Sequence, residues 1–200
     1  MSSFPSNSDD LRAEIAAAAA RMIAEDGTDY ATAKRKAARQ IVGDSKIASN
    51  VLPDNAQIEE EVRIYNEIFF GDTQPARLLH LRKLALRMME DLAQFNPQVT
   101  GAVFNGTAGA HSDIHLHLFA DSAKDVEIFL LNKNVQFEVS ETPHFAGRRA
   151  VETVSFMWHG EGVHLALYET DDLRLLPKGP ERRLGNADTI RRLIEEQAAS

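Results

Sequence analysis

One stretch of the sequence combines reactive side chains with a turn suited to ligand binding. Small residues, Gly-Thr-Ala-Gly-Ala, fill positions 106–110, and Asp113, His115 and His117 follow at every second position. A strand places alternate side chains on one face, so these three are predicted to share a face opposite an apolar one. Carboxylates and imidazoles serve as metal ligands and acid–base groups, and a small-residue turn lets backbone N–H groups approach a phosphate. The stretch therefore predicts a ligand site positioned by a strand.

The small-residue turn has two interpretations. It is either a structural connection between two strands or a loop that binds phosphate. The candidate phosphate contacts are Gly106, Thr107, Gly109 and Ser112. The apolar residues 99–104 before the turn are predicted to form a buried strand. Asp113 favours a functional interpretation, because an aspartate that opens an apolar strand is hard to explain by packing, whereas the histidines also suit the solvent side of a sheet.

The remaining chain supplies the elements that would position this stretch. Apolar spacing predicts four helices before it, and a helix, three strands and a terminal helix after it. The segment Gly160–Gly162 is predicted to be a hairpin turn, and Asp171 and Asp172 are predicted to cap a strand exit. This order indicates an α+β fold, with a helical N-terminal region at residues 1–72 and an α+β domain at residues 73–200.

Composition restricts the chemistry and the partners. The chain has 200 residues, 44% of them hydrophobic, which is enough to bury a core. It contains no cysteine, so disulfides and thiolate chemistry are excluded and any metal would be held by histidine and carboxylates. No apolar run has membrane-spanning length and the N-terminus does not resemble a targeting signal, so a cytoplasmic location is expected. The sequence also lacks the phosphate loop of P-loop ATPases.

Basic residues concentrate in the second predicted helix. They are Lys34, Arg35, Lys36 and Arg39. The net charge of −8 argues against general binding of nucleic acid, but it leaves room for a local basic surface. The four residues form either the solvated face of a helical hairpin or a contact surface for a polyanion such as RNA.

The central stretch resembles the nucleotidyltransferase superfamily, which has the polymerase β-like fold. Small bacterial members often contain a pattern similar to GTAxxxSDIDL, and residues 106–116 read GTAGAHSDIHL. The following helix and strands also suit that fold, and the resemblance covers residues 84–168. It implies a mixed β-sheet with packed helices, a turn that holds nucleotide phosphates, and carboxylates on two strands that hold a divalent metal.

Two positions depart from the family pattern. His115 stands at the second carboxylate position, and His164 stands at the later-strand position, so Asp113 is the one retained ligand. Neutral histidine is a poor ligand for Mg²⁺ and a better one for Zn²⁺ or Mn²⁺. Three alternatives follow: these three residues hold a transition metal such as Mn²⁺ or Zn²⁺ instead of the Mg²⁺ that the family pattern implies; the site binds nucleotide with weakened metal affinity; or catalysis has been lost.

The resemblance also implies the partners of the chain. They would be a nucleoside triphosphate and an acceptor, either RNA or protein, for which the basic helix would be the docking surface. The alternative is a catalytically inactive protein of the same fold that binds nucleotide, RNA or a protein partner.

Overall fold

The structure has an α+β fold, so this part of the prediction is confirmed. The computed structural model describes residues 7–43, 49–179 and 183–199. Within them, helices accompany one mixed sheet of six strands. None of the described helices is both long and apolar enough to cross a membrane.

The contacts divide the chain into two units. A helical unit contains the described residues up to Arg77 and also Gly109–His111. An α/β unit contains Leu78–Ala108 and the described residues from Ser112 onward. Helix α4, Gln74–Asp91, begins in the first unit and continues into the second.

The helical unit packs its helices through alanines. It contains α1 (Asn7–Asp26), α2 (Tyr30–Val42), a 3₁₀ helix (Ser49–Val51) and α3 (Asn55–Phe70). Asp29 caps α2 by accepting the Thr32 N–H, and α2 ends at Gly43, whose φ of 80° suits glycine. The buried core joins α1, α2 and α3 through small residues, and it consists of Ile15, Ala16, Ala19, Ala20, Ala33, Ala37, Ala38, Ile58 and Val62.

The α/β unit is built around the sheet. Its elements after α4 are β1 (Gln98–Thr100), α5 (Gly101–Asn105), β2 (Ile114–Ala120), α6 (Ala123–Asn132), β3 (Glu138–Thr142), β4 (Val151–Trp158), β5 (Glu161–Glu169), β6 (Leu184–Gly185) and α7 (Ala187–Ala198). Two 3₁₀ helices, Ala93–Phe95 and Thr170–Leu175, complete it among the described residues. The strand order is β3-β4-β5-β2-β1-β6, in which β2 and β5 are parallel and the other neighbours are antiparallel.

The alternation predicted for β2 is confirmed. Ile114, Leu116 and Leu118 are fully buried, and they face a core shared with apolar residues of α4, α6 and α7. His115 and His117 therefore lie on the opposite face of the sheet. This second face carries the residues predicted to form the site.

Two local predictions are corrected by the structure. Residues 99–104 form the short strand β1 followed by α5 rather than one strand, because Gly101, with φ of 66°, redirects the chain. A short apolar run does not distinguish a strand from a helix. The hairpin turn lies at His159–Gly160, both with positive φ, so Gly162 belongs to β5 and not to the turn.

Candidate functional site

A row of polar side chains crosses three strands on the face opposite the core. His115 of β2 lies beside His164 of β5, which lies beside Ser155 of β4. The imidazoles of His115 and His164 stack, with ring centroids 4.7 Å apart and an angle of 20° between the planes. Strand register brings these side chains together: Ser155 and His164 face each other across the β4–β5 hairpin, and the parallel pairing of β5 with β2 adds His115 from a distant part of the sequence.

Hydrogen bonds orient His164 from both sides. Its Nε2 lies 3.0 Å from Asp113 Oδ2, and its Nδ1 lies 2.8 Å from Ser155 Oγ. A carboxylate accepts but does not donate, so Nε2 carries the hydrogen that is donated to Asp113. In the neutral ring Nδ1 then accepts the hydrogen of the Ser155 hydroxyl, which fixes both the tautomer and the ring orientation.

Gly162 provides the space for the Asp113 carboxylate. The parallel register of β2 and β5 continues from the His115–His164 pair toward Asp113 and Gly162. A Cβ atom at Gly162 would lie 2.5 Å from Asp113 Oδ1 and 2.6 Å from Asp113 Cγ. A side chain at this position would displace the Asp113 carboxylate, so Gly162 is a component of the site that the sequence did not reveal.

The site is open to solvent at its acidic end. The side chains of Asp113 and His164 are 45% and 31% exposed. Desolvation, and secondarily the charge of His164, lower the pKa of His115 to about 4, against the opposing effect of Asp113. His115 is exposed as a whole residue, so solvent screening weakens these effects on its pKa without changing their direction. His115 is therefore a neutral side chain at pH 7.

The metal ligands predicted from the resemblance do not converge as a set. The stacked rings of His115 and His164 lie side by side, and both nitrogens of His164 have hydrogen-bonding partners. Across the described residues, no group of three or more His, Cys, Asp or Glu side chains is arranged to hold a metal ion. This arrangement does not fit an ion held by Asp113, His115 and His164 together, and a role for divalent metal stays a prediction.

The first half of the small-residue turn is stabilised by its own hydrogen bonds. Gly106, with φ of 89°, ends α5, and its N–H donates to the Ala102 carbonyl at 3.0 Å. The N–H of Ala108 donates to the same carbonyl at 3.1 Å, and the N–H of Thr107 donates to Asn105 Oδ1 at 3.0 Å. These bonds show that Gly106 is the C-cap of α5. They favour the interpretation of this part of the turn as a structural connection.

The second half of the turn makes its contacts in the helical unit. The Gly109 carbonyl accepts a hydrogen bond from Arg77 Nε at 3.2 Å. His111 packs against Gly27, where a Cβ would lie 2.6 Å from His111 Cβ. Gly106, Thr107 and Ser112 thus belong to the same unit as Asp113, whereas Gly109 belongs to the other.

Arg82 is a buried cation that no sequence pattern indicated. It is 6% exposed, and its Nε donates to the Val103 carbonyl at 3.1 Å while Nη1 donates to Gln197 Oε1 at 3.0 Å. Burial lowers the pKa of Arg82, although the charge of Glu196 raises it. Arg82 therefore caps the C-terminal carbonyls of α5 and ties α7 to the start of the turn.

A second aspartate–histidine pair lies in the interior of the α/β unit. Asp172 Oδ2 lies 3.2 Å from His144 Nε2, and Oδ1 lies 3.2 Å from Arg148 Nη1. His144 Nδ1 accepts the Ala146 N–H at 2.9 Å, so the ring is neutral and Nε2 carries the hydrogen. Nε2 finds no well-aligned acceptor among the described residues. Asp172 thus holds the segment 143–149, beyond the capping role predicted for it.

His117 belongs to this interior region and not to the row with Asp113. Its ring lies 4.8 Å from that of Tyr168 and 6.0 Å from that of Phe145. Desolvation, followed by the charges of His115 and His144, lowers the pKa of His117 to about 4. Its Nδ1 is buried without a hydrogen-bonding partner in the part of the chain that the structure describes.

The basic residues of α2 lie on its surface. Arg35, Lys36 and Arg39 are exposed, and Lys34 is half-buried with its Nζ 3.2 Å from Asn55 Oδ1. Arg35 Nη2 lies 3.4 Å from Thr32 Oγ1, which is one turn of helix away. The helix therefore presents three cations to solvent on the side opposite its buried alanines.

In comparisons with known proteins, no family model, curated protein or solved structure matches this chain.

The arrangement of Asp113 and His164 itself supports specific chemistry. A half-exposed carboxylate oriented by a histidine accepts hydrogen bonds from hydroxyl or amine groups of a ligand, and a fixed imidazole offers an edge or a face to a planar one.

Proposed function

We propose that this chain is a nucleotidyltransferase-like protein that binds a nucleoside triphosphate beside Asp113 and transfers its nucleotidyl group to an RNA or protein acceptor. In such a transfer a hydroxyl of the acceptor attacks the α-phosphorus, and pyrophosphate leaves. The proposal rests on one observation: Asp113, His115 and His164 lie on neighbouring parallel strands at the end of a GTAGAHSD segment.

Each residue of the site has a role in this proposal. Asp113 accepts a hydrogen bond from the attacking hydroxyl, and His164, oriented by Ser155, keeps the carboxylate in place. The resemblance assigns Gly106, Thr107, Gly109 and Ser112 to the phosphate side of the site. Positioning supplies much of the rate in phosphoryl-type transfer, so residues that orient Asp113 matter as much as Asp113 itself.

A second function, nucleotide binding without transfer, is favoured by the histidines. His115 and His164 occupy positions where the family has carboxylates, and His164 is hydrogen-bonded on both sides. Such a site offers Mg²⁺ a single carboxylate, Asp113, whereas this ion prefers several oxygen ligands. A protein of this kind would bind a nucleotide and pass the signal to RNA or to a protein partner.

Calorimetry tests the binding step shared by the two functions. The four ribonucleoside triphosphates would be titrated into the protein with Mg²⁺, with Mn²⁺ and with a chelator. We expect one of them to bind, and Asp113→Ala to abolish that binding. Asp171→Ala is the matched control, because its carboxylate is 85% exposed and lies outside the site. If none of the nucleotides binds under any condition, both functions are wrong.

A glycine substitution tests the phosphate side without disturbing the fold. A Cβ at Gly109 would meet no atom within 4 Å, and the backbone there does not require glycine. Gly109→Ala should therefore preserve the thermal midpoint while weakening nucleotide binding, because a phosphate close to the backbone leaves no room for a methyl group. Unchanged affinity would remove Gly109 from the site.

A transfer assay separates the two functions. The bound triphosphate, labelled in its α-phosphate, would be incubated with total RNA or with total protein. Label on an acceptor that disappears with Asp113→Ala supports transfer. Binding without any labelled acceptor supports the non-catalytic function.

A further inference from the structure

A groove between α1 and α2 lies outside the proposed nucleotide site. Its volume is about 270 Å³. The polar side chains that line it come from both helices and the short link between them, and they are Arg21, Asp26, Thr28, Lys36 and Gln40. All of these residues belong to the helical unit.

Cations outnumber carboxylates in this groove. Arg21 of α1 faces the groove opposite Lys36 of α2, and Asp26 is the one acidic residue of the lining. Arg21 Nε lies 3.3 Å from Glu25 Oε2, but these side chains are 69% and 42% exposed. A solvent-exposed ion pair of this kind contributes little free energy, so Arg21 can exchange Glu25 for an anionic ligand at low cost.

The basic face of α2 continues from the groove. Lys36 and Gln40 lie one helical turn apart along its edge, and Arg35 and Arg39 form the adjacent row on the exposed surface. The two rows follow the axis of α2. Lys36, Arg35 and Arg39, which lie along one helix beside the groove, suit the repeating charge of a phosphodiester backbone.

We propose that this groove, together with Arg35 and Arg39, binds the phosphodiester backbone of single-stranded RNA. The inference rests on the proposed function, in which RNA is one of the two acceptor classes. The described residues that line the groove include no aromatic ring on which a base would stack. Recognition is therefore electrostatic and independent of sequence.

Electrostatic recognition has a measurable signature. Each phosphate neutralised on a single strand releases counterions, so the logarithm of the binding constant falls with the logarithm of salt concentration by about 0.7 per contact. A residue that contacts phosphate contributes to this slope, whereas a distant residue of the same charge does not. The slope thus distinguishes a site from a general effect of net charge.

The experiment measures fluorescence anisotropy of labelled oligo(U) and oligo(dT) with the full chain over a range of salt concentrations. We expect Arg21→Gln and Lys36→Gln each to reduce the salt slope for oligo(U) by about 0.7. Lys36→Arg should retain the slope. Arg63→Gln on α3 is the matched control, since Arg63 is 45% exposed and pairs with Glu59 and Glu60.

The outcomes of this experiment either support or overturn the RNA-binding groove. An unchanged slope for Arg63→Gln beside reduced slopes for the groove variants supports the site. Equal reductions in all three variants, or no binding of oligo(U) by the native chain, would overturn it. Binding of oligo(dT) in the absence of oligo(U) binding would refute RNA as the ligand. Circular dichroism melting of each variant verifies that it is folded.

Failure of this inference can be distinguished from failure of the proposed function. Asp113→Ala should leave oligo(U) binding unchanged, and the groove variants should leave nucleotide binding unchanged. If the native chain binds no nucleotide in calorimetry but binds oligo(U) with the expected salt dependence, only the proposed function is refuted. If the native chain binds a nucleotide but does not bind oligo(U), only RNA binding at the groove is refuted.

Discussion

The α/β unit carries two aspartate–histidine pairs with similar distances and opposite surroundings. Asp113 and His164 are 3.0 Å apart, and Asp172 and His144 are 3.2 Å apart. The side chains of the first pair are 45% and 31% exposed, whereas those of the second are 8% and 3% exposed. The residue types and the interatomic distances therefore do not distinguish the two pairs, but their burial does.

The partners of each pair explain the difference. In the first pair His164 is also hydrogen-bonded to Ser155 on the next strand, and the Asp113 carboxylate stays accessible to solvent. The Asp172 carboxylate faces His144 and Arg148 and accepts the Glu169 N–H at 3.3 Å, in contact with an aromatic cluster. The open pair can exchange its partners for a ligand, while the closed pair holds the chain together.

Removal of Asp172 should therefore have the largest effect on stability. We expect Asp172→Ala to reduce the free energy of unfolding by about 2 kcal/mol, because Arg148 and the Glu169 N–H lose their acceptor and His144 loses the carboxylate beside its Nε2. Asp113→Ala should change it by about 0.5 kcal/mol or less, since its carboxylate is half-exposed. Urea denaturation of the two variants measures the difference. Equal losses would show that the two pairs are energetically alike.

The interior region around the closed pair, here called the closed region, contains His117 and should make the stability of the fold depend on pH. The pKa of His117 is lowered to about 4 in the folded chain, so the unfolded chain binds more protons below pH 6.5. The folded state therefore keeps its full stability above pH 6.5 and loses it as pH falls toward 4. Because His117 is half-buried, solvent screening limits this loss to about 2 kcal/mol.

His117→Phe isolates this contribution from other titrating groups. The variant retains an aromatic ring for Tyr168 and Phe145 but cannot bind a proton. The difference in unfolding free energy between the native chain and the variant should shrink or reverse in favour of the variant between pH 6.5 and pH 4. A constant difference across this range would contradict the assignment of His117 to the closed region.

Local sequence patterns predict much of this fold. Alternation identified the buried face of β2, and the capping residues Asp29 and Asp54 mark where α2 and α3 begin. The structure of the apolar run at residues 99–104 was harder to predict, because short strands and short helices can have the same composition. Its assignment depends on Gly101, whose positive φ is visible only in the folded chain.

The candidate site is less predictable because strand pairing creates it. The period of two placed Asp113 and His115 on one face from local sequence alone. Ser155 and Gly162 enter the site through the register of β4 and β5 against β2, which depends on the whole core. The separation of His117 from His115 likewise depends on segment 143–149, which covers one of these residues and not the other.

Gly162→Ala tests the open pair with the smallest change in stability. The backbone at Gly162 does not require glycine, but the new Cβ would lie 2.5 Å from Asp113 Oδ1, so the carboxylate must rotate away from His164. We expect the variant to lose no more stability than Asp113→Ala, about 0.5 kcal/mol or less, because the hydrogen bond that it disrupts is partly exposed. Nucleotide affinity should fall to the level of Asp113→Ala, because a displaced carboxylate no longer meets the ligand.

The double variant completes this test as a thermodynamic cycle. Asp113→Ala removes the atoms that the methyl group would meet, so Gly162→Ala should cost almost nothing in that background. Nitrogen NMR of His164 should show Nε2–H in the native chain and a change of tautomer balance in each single variant. If Gly162→Ala is additive with Asp113→Ala in stability and in affinity, the glycine does not act through the carboxylate. The distinction between an open, exchangeable pair and a closed, structural one would then rest on exposure alone.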